Sequence, residues 1–197
     1  MIGIVLCGGE SKRMGSDKGL LSVGSLTWAQ HAEAKLAELD IPVVISINQT
    51  QLPKYNHIYN TEKLIIDTIN VKGPLKGLLS VHQYYPDDDL MLLACDMIDM
   101  DVDTLQELKK NYYINPHFDY YLYQCDGFME PLCAVYPAET LKALIKIIDT
   151  SELTHFSMHR IIKESNYKTI EIKEKEKFSN YNTANYLRAK TSKKVHI

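Results

Sequence analysis

The strongest constraint on the fold is a set of short, nearly unbroken apolar runs: IGIVLC at 2–7, IPVVISI at 41–47 and DLMLLA at 89–94. A strand with one wet face alternates apolar and polar residues, so continuous runs belong to strands covered on both faces. Helix-like segments separate the runs. That alternation predicts a single-domain, Rossmann-like three-layer α/β/α sandwich around a mostly parallel sheet. The first helix is expected to start at Thr27, where Gln30 gives capping-box spacing, to carry Trp28, Ala32, Leu36 and Leu39 on one side, and to end before Pro42. A second follows Pro74 through Leu78, Leu79 and His82 toward Pro86, and Asp103 with Gln106 marks a third start. Pro137 opens a fourth with Leu141, Leu144, Ile145 and Ile148 as its core face, and a last helix begins near Thr183 and reaches about Ala189. The runs Asp119–Cys125 and Glu130–Tyr136 have β character and flank Asp126-Gly127, a pair that permits positive φ and so predicts a hairpin-like element.

Length and composition narrow the function classes. At 197 residues with 45% hydrophobic content, the chain is sized for one domain with a sizeable core. No internal repeat or boundary signal divides it, so 1–197 reads as one domain with a basic, frayed tail from about residue 190. A formal net charge of −3 and a sequence pI near 6.2 argue against a nucleic-acid partner and for a small polyanion. The start lacks a basic leader, and no run approaches the roughly 18 apolar residues of a membrane span, so a cytoplasmic protein without a membrane partner is expected. Cys7, Cys95, Cys125 and Cys133 show no C-x-x-C spacing and read as mostly buried, reduced thiols, with Cys7 and Cys95 at strand ends.

The chemistry concentrates in LCGGESKRMGSDKGLL, Leu6 to Leu21, where a glycine pair, Arg13 and Lys18 follow directly on an apolar strand. Glycines let a main chain approach an anion and present N–H groups to it, while the cations offset phosphate charge. Gly8, Gly9 and Gly15 do not make G-x-G-x-x-G, and no G-K-[ST] follows to make a P-loop. The loop therefore belongs to another phosphate-binding scheme. Since ligands of open α/β sheets sit outside the carboxyl ends of the strands, Asn48 after the second run and Asp96 after the third fall beside it.

The pattern L-x-G-G-x-S-x-R-M-G-x-D-K resembles the opening loop of the molybdenum cofactor guanylyltransferases, which are MobA-like nucleotidyltransferases. Four later segments keep the family's order: GPLKG at Gly73 to Gly77, ACD at Ala94 to Asp96, EPLCAVY at Glu130 to Tyr136, and FSNYNT at Phe178 to Thr183. The resemblance implies a nucleotidyltransferase (glycosyltransferase-A-like) fold and transfer of GMP from GTP to molybdopterin or Mo-molybdopterin, forming molybdopterin guanine dinucleotide and pyrophosphate. It implies Mg²⁺ as cofactor on Asp96, with Arg13, Lys18 and Asp96 as the catalytic set. Lys18 would act as a point charge on the triphosphate, and Arg13 as a fork for phosphate oxygens and the leaving pyrophosphate. The nucleotide would meet Leu6, Cys7, Gly8, Gly9, Lys18, Asn48, Asp67 and Asp96, with Asp67, after the KLII run, reading the N1–H and N2–H₂ edge of guanine. Asn180 and Asn182 resemble the family's N-x-N-T segment near the second substrate, and transient contact with cofactor-delivering proteins or molybdoenzymes would suit the same role.

The same residues carry plainer readings. Asn48 and Asp67 suit turns at strand ends, Asn182 or Thr183 suits a helix cap, and Lys18 and Arg13 taken alone are ordinary surface charges. Asp99, Asp101 and Asp103 read as a helix-capping acidic run rather than a metal cluster, and His155 and His159 as a surface pair on one helical face. A cytidylyltransferase or sugar-phosphate nucleotidyltransferase on the same fold, or a non-catalytic nucleotide or cofactor carrier, fits much of the pattern. The chain departs from the family after Asp96, where C-D-x-P is usual and Met97 and Ile98 follow here. The segment from Asn115 to Glu130 aligns with little and is expected on the acceptor side.

Overall fold

The computed structural model of the chain describes residues 1–8, 17–150, 153 and 155–181. The strand β1 (Ile2–Leu6) leads to a two-stranded ribbon, β2 (Ser22–Val23) and β3 (Leu26–Thr27), and then to α1 (Trp28–Ala37), β4 (Val43–Ile47), α2 (Leu52–Tyr55) and β5 (Leu64–Ile66). There follow α3 (Pro74–Tyr84), β6 (Leu90–Ala94), α4 (Val102–Ile114), β7 (Tyr120–Cys125), β8 (Phe128–Tyr136), α5 (Ala138–Asp149), α6 (Met158–Lys163) and β9 (Tyr167–Glu171). Seven strands form one sheet in the order β5-β4-β1-β6-β8-β7-β9, and only β8 runs against the others. The α/β sandwich expected from the apolar runs is thus the observed architecture, with each run trimmed by one or two residues at its ends.

Burial explains the runs. Every residue of β1, β4 and β6 is buried, because α1, α2 and α4 cover one face of the sheet while α3, α5 and α6 cover the other. Each fully buried large aliphatic or aromatic side chain contributes about 1.5–3 kcal/mol. The capping box at α1 is present: Thr27 Oγ1 accepts from the Gln30 N–H at 3.2 Å, and Gln30 Oε1 accepts from the Thr27 N–H at 2.9 Å. Trp28, Ala32, Leu36 and Leu39 are all buried beneath it. Gly73, at φ 73°, turns the chain into α3, whose first residue is Pro74. The hairpin of β7 and β8 turns on Asp126 (φ 50°) and Gly127 (φ 81°), the double positive φ of a type I′ turn.

Two expectations needed correction, and two elements were unforeseen. Helix α4 begins before Asp103: Asp101 is its cap, accepting the Thr104 N–H at 2.9 Å, and Asp103 lies in the first turn. His155 precedes α6 and sits 3.7 Å from Glu164, so it shares no helical face with the exposed His159. The edge strand β9 and helix α6 had no counterpart in the reading of the sequence. The expected helix from Thr183 and the tail from about 190 lie outside the described residues. Among the described residues no helix is long and apolar enough to cross a membrane.

Candidate active site

The sheet order places β1 at the switch point, with β4 on one side and β6 on the other, so chain leaving their carboxyl ends diverges around a crevice. Cys7 and Gly8 follow β1, Asn48 follows β4, Asp67 follows β5, and Cys95 and Asp96 follow β6. The chain thus brings five of the expected site residues to one edge. Leu6 ends β1, and its carbonyl accepts the Cys95 N–H at 3.2 Å.

Around Asp67 the packing is tight. Ser46 Oγ donates to Asp67 Oδ1 at 2.7 Å, and the Asp67 N–H donates to the Ile47 carbonyl at 2.8 Å. A Cβ on Gly8 would lie 2.2 Å from Asp67 Oδ2, and one on Gly77 would lie 2.4 Å from Ser46 Oγ and 2.4 Å from Leu6 Cδ1. Two glycines far apart in sequence, Gly8 and Gly77 of GPLKG, therefore both leave out a side chain that would crowd Asp67 and Ser46. Burial raises the Asp67 carboxyl to about 6, against the hydrogen bond from Ser46 and the charge of Lys76. The N–H groups of Cys7 and Gly8 both donate to the Ser46 carbonyl, at 3.0 and 3.2 Å. Gly8 thus makes room for Asp67, while the rest of the glycine loop, residues 9–16, lies outside the described residues.

Lys18 is held from behind. The Asp17 carboxylate caps the turn at Lys18–Leu20, accepting from the Gly19 N–H at 3.0 Å, from Gln51 Nε2 at 2.7 Å and from the Tyr55 hydroxyl at 3.2 Å. Gln51 also donates to the Cys7 carbonyl at 3.1 Å and accepts the Asn48 N–H at 2.8 Å, so one buried amide ties together the ends of β1, β4 and the Lys18 turn. A Cβ on Gly19 would come within 2.1 Å of the Tyr55 hydroxyl. Desolvation lifts the Tyr55 phenol far above its ordinary range, so it stays a donor. Lys18 Nζ then reaches Asp96 Oδ2 at 2.9 Å across the crevice, with both side chains largely buried at 21% and 15% exposure.

The Asp96 turn is fastened without the family's proline. The Met97 N–H donates to the Ala94 carbonyl at 3.2 Å, Lys35 Nζ donates to the carbonyl of Ile98 at 2.6 Å, and the Tyr181 N–H donates to the Asp96 carbonyl at 3.2 Å. The Tyr181 hydroxyl donates to Asp99 Oδ2. Asp101 is spent on the α4 cap and an ion pair with Lys177 at 2.6 Å. Among the described residues no three His, Cys, Asp or Glu side chains are grouped to hold a metal ion. The Asp96 carboxylate, here paired with Lys18, is of the oxygen-donor type that a hard cation with few protein ligands takes.

The remaining expectations divide. Asn48 Oδ1 accepts from the Thr50 N–H, the Thr50 hydroxyl and the Gln51 N–H, so its carbonyl end forms a turn and its Nδ2 is the group that could meet a ligand. Asn180 is exposed, next to the tether of Tyr181 at Asp96. Gly9, Arg13 and Asn182 lie outside the described residues. All four cysteines are unbridged, and Cys7, Cys95 and Cys133 are buried; the hydrogen bond to Cys7, with burial, raises the Cys95 thiol well above its usual range. Sequence reasoning missed Ser46, Asp17, Gln51 and Tyr55. A polar residue inside a buried strand was the one available signal for Ser46.

A switch-point crevice with an enclosed carboxylate on one side and a lysine–aspartate pair on the other is compatible with a nucleotidyltransferase, and the family match gives that enzyme class. The chain belongs to the MobA-like NTP transferase domain family, whose model matches residues 3–166. It is 27% identical over 162 residues to a probable molybdenum cofactor guanylyltransferase of Geobacillus sp. (strain WCH70), covering 81% of this chain and 82% of that protein. It is 26% identical over 188 residues to a protein of the same name from Flavobacterium johnsoniae, covering 93% and 92%. Its fold matches the crystal structure of molybdopterin-guanine dinucleotide biosynthesis protein A from Archaeoglobus fulgidus with a TM-score of 0.77, at 20% identity over 99% of this chain and 100% of that one.

Proposed function

We propose that the protein transfers GMP from GTP to the terminal phosphate of molybdopterin, with or without its metal, forming molybdopterin guanine dinucleotide and pyrophosphate in molybdenum cofactor biosynthesis. The observation that carries this reading is the Lys18–Asp96 pair beside the enclosed Asp67 carboxylate, one site for charge and one for a base edge. The names of the similar proteins support a molybdopterin acceptor. In the reaction an acceptor phosphate oxygen forms a bond to the α-phosphorus of GTP as the bond from that phosphorus to the β-bridging oxygen breaks, and the electron pair leaves with pyrophosphate. The attacking phosphate is already ionised, so positioning and charge neutralisation are the main requirements.

Asp67 accepts the N1–H and 2-amino donors of guanine, while Ser46 holds the carboxylate in place. Lys18, fixed by the Asp17 turn, swings its ammonium from Asp96 to the triphosphate, and Arg13 grips the departing pyrophosphate. Mg²⁺ held by Asp96 supplies Lewis-acid neutralisation of the phosphates when bound. Asn48 orients the nucleotide through its amide N–H₂, and Asn180 and Asn182 approach the acceptor. A nucleotide survey tests the reading: with molybdopterin and Mg²⁺, GTP gives the dinucleotide and CTP and UTP do not. Turnover with CTP or UTP and none with GTP would remove the guanylyl assignment.

A further inference from the structure

The half of the sheet beyond β6 ends in the β7–β8 hairpin, and its height relative to Asp96 follows from the registers. Leu92, Ala134 and Leu122 stand in one row across β6, β8 and β7. Cys95 and Cys125 lie equally far past that row toward the carboxyl edge, and Cys125 pairs with Phe128. The hairpin tip therefore reaches the level of the Asp96 turn, two strands away, or roughly 10 Å along the sheet. A strap completes the enclosure. The Ile172 N–H donates to the Gln124 carbonyl at 2.9 Å, Phe178 packs on Tyr123 with ring centroids 4.8 Å apart, and the Tyr181 N–H closes on the Asp96 carbonyl.

Two side chains of this hairpin have no structural employment. Phe128 is 75% exposed, the most exposed of the large hydrophobic side chains among the described residues. Glu130 is half-buried, and among the described residues its carboxylate has neither an ion pair nor a hydrogen bond; burial alone raises its pKa. The Glu130 carboxylate is therefore open to a donor from outside without giving up a contact among the described residues. Alternation along β8 sets Phe128 and Glu130 on one face while Met129 enters the core on the other. That face is the one occupied by Tyr123, Cys95 and Phe178, because Glu130 pairs directly with Tyr123. A bulge between Leu122 and Tyr123, where the register jumps from Ala134 to Glu130, re-aims this end of β8.

We propose that Phe128 and Glu130 form the ring-binding subsite for the acceptor: the Phe128 ring stacks on a planar heterocycle while the Glu130 carboxylate accepts a paired N–H and N–H₂ edge. This rests on the proposed guanylyl transfer, since a pterin carries at N3 and its 2-amino group the same donor pair that guanine carries at N1 and its 2-amino group. Both groups are specificity-determining and lie outside the phosphoryl chemistry.

The test compares the wild-type protein with Glu130→Gln and Phe128→Ala in dinucleotide formation, and measures GTP affinity separately without acceptor. Each variant raises the acceptor KM by about tenfold, within the range for a lost charge-assisted hydrogen-bond pair or a lost stacking contact, and leaves GTP binding unchanged. Phe128→Trp restores the wild-type KM. In competition assays 6-hydroxymethylpterin inhibits the wild type at least about tenfold better than its lumazine counterpart, whose 2-oxo group replaces the 2-amino group, and Glu130→Gln erases that preference. An acceptor KM within about twofold of wild type in both variants, or equal losses for GTP and acceptor, overturns the inference while leaving the guanylyl reading intact. A wild-type protein that makes no dinucleotide refutes that reading, and the subsite with it.

Discussion

Asp67 and Glu130 face the carboxyl edge from opposite halves of the sheet, and they are housed differently. Asp67 is enclosed by Ser46 and by two glycines that leave no space for a methyl group, while Glu130 sits beside a bulge, near an exposed phenylalanine and without a partner among the described residues. One half is closed by its own packing; the other is left open to solvent. The contrast suits a transferase whose donor nucleotide is bound by a rigid pocket and whose acceptor ring enters from the open side. It also explains why substitutions on the two sides should separate stability from specificity.

The largest expected effect lies between the halves. Asp96→Asn should lower metal-dependent pyrophosphate release by at least about tenfold, a barrier increase of roughly 1.4 kcal/mol. Unchanged turnover would remove Asp96 from the centre. Within the nucleotide half, Gly8→Ala would set a Cβ 2.2 Å from Asp67 Oδ2. Overpacking of this kind costs about 1–3 kcal/mol, so a lower melting temperature and weaker GTP binding should appear together. Phe128→Ala on the open side should leave the melting temperature unchanged. Equal stability losses at Gly8 and Phe128 would erase the distinction between the halves.

A pH titration sharpens the same comparison. With the Asp67 carboxyl at about 6, GTP affinity should fall as pH drops through that value, and Asp67→Asn should bind GTP weakly at every pH. The stability effect has the opposite sign. The folded-state value lies above the reference of 3.8, so the folded protein binds the proton more tightly, and stability falls as pH rises from about 4 through about 6. Asp67→Asn should therefore stabilise the fold more at pH 8 than at pH 4, as read by thermal melts. The smallest effect is Thr27→Ala, which removes the capping box of α1 and should cost about 1 kcal/mol with no change in either substrate's affinity.

What the sequence disclosed, and what it hid, follows from the range of the interactions. Thr27 and Gln30 act three residues apart, Asp126-Gly127 sets its own turn, and the apolar runs report burial on both faces, so these were legible. Strand β9, YKTIE, packs only partly buried against β7 at the sheet edge, and its mixed composition gives no strand signal. Gln51, Tyr55 and Asp17 matter because chain segments remote in sequence converge on them, and no local pattern announces such a meeting. Gly8 stands out in the sequence as part of a glycine pair, but the neighbour requiring its missing side chain, Asp67, is visible only in the folded chain. Asp103 looked like a cap because a suitable partner spacing followed it, yet Asp101 had an equally suitable one with Thr104.

The central claim is that the α-phosphorus of GTP passes from the closed half to a phosphate held on the open half. Parallel reactions with GTP labelled at the α- or at the γ-phosphate, with Mg²⁺ and molybdopterin, test it directly. The account predicts α-label in the dinucleotide and γ-label only in pyrophosphate, with both lost in Asp96→Asn. γ-Label in the pterin product, or release of inorganic phosphate in place of pyrophosphate, would contradict it.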